Sequence, residues 1–123
     1  MVGALEVRKF ALTLPRTELG WVRESARYRI KQIVYAGVSR DEELMGFAFP
    51  KAEREGLVEG EPEKFLMPKA SDLRFNWVVV RLAAIDVDEM QELVLDAWSM
   101  CVPKFLNREF RLANDWPLGV EDR

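Results

Sequence analysis

Four cations stand out as residues that could do chemistry: Arg23, Arg27, Arg29 and Lys31. All four positions are odd, so on one continuous strand, where side chains alternate between faces, they would project from the same side. Cations on a β-ribbon can bind phosphate oxygens, and the neighbouring Trp21 offers a ring on which a base can stack. We therefore treat these four residues as candidate nucleic-acid-binding residues.

The same run of charge has a simpler interpretation. Charged side chains are most often a solvated outer face, and Glu24 and the acidic loops supply partners of opposite sign. A turn between Ser25 and Arg27 would also break the alternation on which the shared face depends. Both interpretations remain open at the level of sequence.

The overall charge limits what a nucleic-acid partner could be. The 123 residues carry a net charge of −3, whereas general polyanion-binding proteins are usually rich in Lys and Arg. The charge is uneven, because residues 1–35 hold seven basic and three acidic groups (net +4) and residues 36–66 hold four and eight (net −4). A local positive field is therefore compatible with an acidic chain.

Catalytic and metal-binding signatures are missing from the sequence. The chain has no histidine, the usual general base and transition-metal ligand, and a single cysteine, Cys101, on the apolar stripe of a predicted helix. The carboxylates at positions 41–43 belong to a predicted loop, Asp86 is a predicted helix cap, and no glycine-rich phosphate loop occurs. We predict a protein that is not an enzyme and needs neither a metal nor a cofactor.

Composition also predicts the compartment. The longest apolar run, at residues 77–80, is far shorter than the roughly 20 residues of a membrane helix, and the first ten residues do not resemble a signal peptide. One cysteine is consistent with a reducing environment. We expect a cytoplasmic protein without a membrane contact.

Periodicity predicts the elements that would position these residues. The predicted helices cover residues 4–13, 51–55 (ended by Gly56), 87–101 and a last turn or two at 105–110; the predicted strands cover 21–24, 28–30, 33–38, 44–49, 65–67 and 77–82. Residues 28–38 form a hairpin with its turn at Lys31 and Gln32, and Asp86 caps the helix that follows it with Glu89 at the third helical position.

These elements predict the fold class. Strands connected this tightly must be antiparallel, and a helix with one apolar stripe must pack on the sheet. We expect an α+β fold of two layers, an antiparallel sheet with helices packed on one face, as a single domain over residues 1–112 with a polar, frayed tail at 113–123. The aromatic residues predicted for the core are Phe47, Phe49, Phe65, Trp77 and Trp98, while Trp21 and Trp116 have no alternation that directs them inward.

The order of these elements resembles the MmcQ/YjbR-like family. The residues that carry the resemblance are Leu14-Pro15, the aromatic hairpin from Tyr28 to Tyr35, the segment 61–65 with Pro68, Trp77-Val78, and the closing helix that ends near Val102-Pro103-Lys104. The resemblance implies an antiparallel sheet with flanking helices, similar to secretion-chaperone folds. It also implies DNA binding through hairpin wings, with a chaperone-like protein-interaction module of unknown partner as the alternative.

Overall fold

Four α-helices and six β-strands make up the fold in a computed structural model that describes residues 2–118. Their order is α1 (Ala4–Ala11), β1 (Thr17–Val22), β2 (Ser25–Ile30), β3 (Ile33–Val38), β4 (Leu44–Ala48), α2 (Lys51–Gly60), β5 (Phe65–Leu66), β6 (Trp77–Arg81), α3 (Val87–Ser99) and α4 (Lys104–Ala113). No helix in this range is both long and apolar enough to cross a bilayer.

The strands form one antiparallel sheet in the order β1-β2-β3-β4-β6-β5. The first four strands follow the order of the chain because short turns join them. The chain then forms α2 and the edge strand β5 before β6 pairs with both β4 and β5. The predicted α+β class with an antiparallel sheet is confirmed.

The core lies between one face of the sheet and the helices. α3 packs across β3 and β4, and α1 packs against α3. Alternate strand residues are buried on this side, as period-two patterning requires: Tyr28, Met45, Phe47, Val78 and Val80.

Trp98 joins α3 to the rest of this core. Its side chain is fully buried, its indole Nε1–H donates to the carbonyl oxygen of Pro15 at 2.9 Å, and its ring centroid lies 5.4 Å from that of Phe110. The helix itself begins as predicted, because the side chain of Asp86 accepts a hydrogen bond from the backbone N–H of Glu89 at 2.8 Å.

The first hairpin differs from the sequence prediction. The strand expected at residues 21–24 begins at Thr17 and ends at Val22, and Arg23 and Glu24 form the turn to β2 with φ values of 48° and 69°. Positive φ at both central residues suits the right-handed twist of a hairpin, although Asn-Gly is the usual sequence there. The turn predicted at Lys31 and Gln32 is confirmed.

The second helix is longer than predicted. Gly56 does not end α2, which continues to Gly60. A glycine inside a helix costs about 0.5–1 kcal/mol relative to alanine. Leu57 and Val58, which follow Gly56, pack against the core, and this burial offsets the cost.

The C-terminal segment up to residue 118 makes more contacts than predicted. The last helix spans Lys104–Ala113, and the buried Arg111 donates to Asp96 Oδ1 and to the carbonyl oxygen of Pro117, both at 2.9 Å. Trp116 packs on Phe10 with a centroid distance of 6.1 Å. The first residues of the predicted frayed tail are therefore held in place, while its residues 119–123 lie outside the described residues.

Replacing Trp98 with alanine should lower the free energy of unfolding by about 3–5 kcal/mol, because it leaves a cavity in the core and an unpaired carbonyl at Pro15. Trp98→Phe retains most of the ring and should cost less. Urea unfolding of both variants and the parent measures the difference. A Trp98→Ala midpoint equal to that of the parent would contradict this account of the core.

Candidate nucleic-acid interface

The face of the sheet that points away from α3 carries Arg27, Arg29, Gly37, Gly46 and Trp77, and we call it the open face. Residues directly opposed in an antiparallel pair share a face, and the register opposes Arg27 to Gly37 and Gly37 to Gly46. In β2, β4 and β6 these positions are half-buried or exposed, alternating with the buried core residues. The open face is therefore accessible to a ligand.

The structure brings together two of the four candidate cations. Arg27 and Arg29 occupy alternate positions of β2 on the open face, Arg27 half-buried and Arg29 exposed. Arg23 and Lys31 lie instead in the turns at the two ends of β2, with φ values of 48° and 56°. The prediction that all four share one face is wrong for Arg23 and Lys31, because the continuous strand spans only Ser25–Ile30.

A pair of glycines lets two large side chains lie flat on the open face. A Cβ atom on Gly37 would lie 3.2 Å from Cδ of Arg27, and one on Gly46 would lie 2.6 Å from Nε1 of Trp77. Arg27 therefore extends from β2 over β3, and Trp77 extends from β6 over β4. Since Gly37 and Gly46 oppose each other on neighbouring strands, the two side chains extend toward each other across the same face of the sheet.

Two cavities border these side chains. The larger, about 590 Å³, is lined by Arg27 and Trp77 with Ile33, Phe75 and Met100 among its apolar walls. The smaller, about 180 Å³, also has Arg27 and Trp77 in its lining. Because the two residues line both cavities, we treat the cavities as one groove, the open-face groove, which extends from the open face to the strand ends near Gln32, Ile33 and Met100. The larger part has the size of ordinary ligand pockets, roughly 300–1,000 Å³.

Hydrogen-bond donors in the groove are left without protein acceptors. Among residues 2–118, Nε of Arg27 is buried and unpartnered, and the indole N–H of Trp77 donates to no acceptor. A guanidinium beside an aromatic ring can bind an anion and stack a planar group at the same time. The main chemical capability of the groove comes from this pairing of the Arg27 guanidinium with the Trp77 ring.

α2 holds the wall of the larger cavity. Arg54 is 7% exposed, and its guanidinium donates to the carbonyl oxygens of Leu73, Phe75 and Trp77 at 2.9, 3.0 and 3.1 Å. One side chain thus fixes the backbone of the loop that presents both aromatic rings. Arg54 therefore contributes to the groove indirectly, by positioning the loop that carries Phe75 and Trp77.

Cys101 also lines the larger cavity. Burial raises the pKa of its thiol, so the thiol stays protonated at neutral pH and is a weak nucleophile. Within the described range, no three His, Cys, Asp or Glu side chains come together as a metal site would require. The groove thus presents groups suited to recognition by charge and shape.

α3 and the open face of the sheet differ in charge. α3 carries four acidic residues and no basic one: Asp88, Glu89, Glu92 and Asp96. Among the strand positions of the open face, the register places Arg27, Arg29 and Arg81 with one acid, Glu18, and Asp72 adds a carboxylate in the lining of the groove. The open face is therefore locally positive on a chain of net charge −3.

Sequence reasoning missed Trp77 as a surface residue. Its prediction as part of the core is wrong, because the residue is half-buried and lines the groove. The alternation of residues in β6 could have indicated this, because Trp77 shares its face with Arg81, opposite Val78 and Val80. A strand face that carries an arginine is usually solvated. Phe75, 50% exposed in the preceding loop, carried no periodic signal at all.

Comparison with known proteins shows a similar fold and a matching family. The fold, an α+β domain with one antiparallel sheet, is similar to the crystal structure of the Deinococcus radiodurans protein DR2400, which carries the family-model domain DUF419. The two structures superpose with a TM-score of 0.71, and the match covers 98% of this chain and 94% of that chain. The 16% sequence identity limits that likeness to the fold. No curated protein shows significant similarity to the chain. The YjbR family model matches residues 12–100, so the chain belongs to the YjbR family, which confirms the resemblance seen in the sequence.

Gly46→Ala should displace the indole of Trp77, because the new methyl group would lie 2.6–2.7 Å from three of its ring atoms. We expect a loss of about 1–3 kcal/mol in unfolding free energy, typical of overpacking, and a red-shifted tryptophan emission. Gly56→Ala, which has no atom within 4 Å of its new methyl group, is the control and should gain about 0.5–1 kcal/mol. Unchanged stability and emission in Gly46→Ala would refute the flat placement of the ring.

Arg54→Met should release the loop at residues 73–77, since three carbonyl oxygens lose their donor. Hydrogen bonds to a charged group contribute about 1.5–3 kcal/mol, so a destabilisation of that order is expected. Arg74→Met, which removes an exposed arginine from the same loop, is the matched control. Hydrogen exchange should show faster exchange at residues 73–77 in Arg54→Met alone; equal exchange in both variants would contradict the positioning role.

Proposed function

We propose that this YjbR-family protein is a non-catalytic, cytoplasmic DNA-binding domain that requires no metal or cofactor. The observation that carries the proposal is the placement of Arg27 and Arg29 at alternate positions of β2 on the open face, where Arg27 lines the groove together with Trp77 and Arg29 extends over Gly20 of β1. Guanidinium groups bind phosphate oxygens through paired hydrogen bonds, and neighbouring aromatic rings accept bases.

The footprint on DNA is small. Arg23 and Lys31 lie at opposite ends of β2, away from the pair, so two phosphates are the contacts that Arg27 and Arg29 can make. Two contacts correspond to a slope of about −1.8 in a log–log plot of affinity against salt for duplex DNA. Nonspecific affinity is correspondingly weak, on the order of 10⁻⁴ M or weaker at physiological salt.

A protein partner is the second candidate, and a different observation favours it. Ile33, Phe75 and Met100, around the larger cavity, are 57%, 50% and 44% exposed. An apolar rim of this kind suits a chaperone-like interaction. Burial of apolar surface depends little on salt, whereas phosphate binding weakens as salt rises, so the salt dependence of binding separates the two candidates.

The double variant Arg27→Glu with Arg29→Glu should abolish DNA binding, because it reverses both charges that face the phosphates. Fluorescence anisotropy of a labelled oligonucleotide at low salt measures the affinity. The control is Lys9→Glu with Lys104→Glu, which changes the net charge equally at two exposed positions on α1 and α4. Arg29 and both control lysines are exposed, so their charges contribute little to stability, whereas Arg27 is half-buried; the melting temperature of each variant is therefore measured, and affinities are compared only between folded proteins.

Two outcomes would reject the proposal. The parent could show no DNA binding at low salt, which would leave the protein-interaction candidate. Alternatively, the two double variants could lose affinity equally, which would mean that net charge and not the open face governs binding.

A further inference from the structure

The indole of Trp77 has the geometry of a stacking platform. Its Nε1, Cε2 and Cζ2 atoms would all lie 2.6–2.7 Å from a Cβ atom on Gly46, so the indole covers the glycine and packs against the sheet. The side chain is half-buried and lines the groove. A flat ring supported from behind needs no rearrangement to accept a second planar ring.

The groove beside this ring has further features that suit a nucleobase. Phe75 supplies a second aromatic wall. The guanidinium of Arg74 lies over the ring of Phe75, 4.7 Å from the ring centroid. Gln32, Asp72 and Asn76 place amide and carboxylate groups at the lining, which can donate to and accept from the polar edge of a base.

The anion-binding group lies next to the platform. Arg27 lines both parts of the groove, and its Nε has no partner among residues 2–118. Its side chain extends over Gly37 toward the strand that Trp77 covers. A ligand with a planar ring and a phosphate a few ångströms apart matches this pair.

We propose that the open-face groove binds single-stranded DNA by stacking one unpaired base on Trp77 and placing an adjacent phosphate on Arg27. This inference rests on the proposed DNA-binding function and adds the form of the strand and the base contact. A base inside a duplex is stacked on its neighbours and cannot lie on the indole. Single strands expose that surface, and stacking on aromatic side chains tolerates any base.

Short oligodeoxythymidine with one central 2-aminopurine tests the stacking directly, because the fluorescence of this base falls when it stacks on another ring. The parent should quench it on binding and should bind the single strand at least about tenfold more tightly than a duplex of the same length. Trp77→Ala should bind the single strand about 5- to 150-fold more weakly, the range that stacking on an aromatic side chain contributes, and should not quench.

Trp21→Ala is the matched control, since Trp21 is 56% exposed and, opposite Ala26, belongs to the other side of the sheet. Its affinity and quenching should equal those of the parent. Phe75→Ala, in an exposed loop position, provides a second variant that does not depend on the packing of Trp77 and should also weaken binding and reduce quenching. Parent-like behaviour of both Trp77→Ala and Phe75→Ala would overturn the inference.

The same measurements separate this inference from the proposed function. If the arginine double variant abolishes binding while Trp77→Ala and Phe75→Ala bind and quench like the parent, DNA binding stands and base stacking is wrong. If the parent binds the duplex as tightly as the single strand, the preference for single strands is wrong. If the parent binds neither form, both proposals fail. Free deoxyadenosine monophosphate that binds as tightly as the oligonucleotide would show a nucleotide site and overturn the strand assignment.

Discussion

The packing of α3 on β3 and β4 is the constraint on which the rest of the structure depends. The apolar stripe of α3, which includes Met90, Val94, Ala97 and Trp98, is buried on one face of the sheet. Because successive side chains of a strand point to opposite faces, burial of that side determines which residues form the open face. A register slip of one residue would exchange core and groove, so the energy of the core also maintains the geometry of the groove.

The glycines on the open face do not weaken the sheet at the positions where they occur. Glycine inside a strand lacks a side chain to pack and usually marks a weak point. Here Arg27 and Trp77 occupy the spaces that Cβ atoms on Gly37 and Gly46 would fill, so neighbouring strands supply the missing contacts. The consequence is that Arg27 and Trp77 project from strands, where a binding residue is held more precisely than on a flexible loop.

Local signals explain what could be predicted from the sequence. The turn at Lys31 and Gln32 and the cap at Asp86 each depend on a few adjacent residues, and both were predicted correctly. The pairing of Arg27 with Trp77 could not be predicted, because fifty residues separate them and only the β2-β3-β4-β6 order brings them together. The contacts of Arg54 with a loop 19–23 residues away are nonlocal for the same reason.

The acidic character of the chain shapes what the open face can bind. The four carboxylates of α3 lie on the side of the sheet that faces away from the groove, whereas Arg27, Arg29 and Arg81 lie on the groove side. At 0.1 M salt, exposed charges more than about 10 Å apart are largely screened, so a short ligand on the open face interacts mainly with the arginines. A long duplex would extend beyond these arginines toward the acidic parts of the surface and meet repulsion. The distribution of charge therefore favours a ligand of few phosphates, and the groove supplies the aromatic contact that two arginines alone would lack.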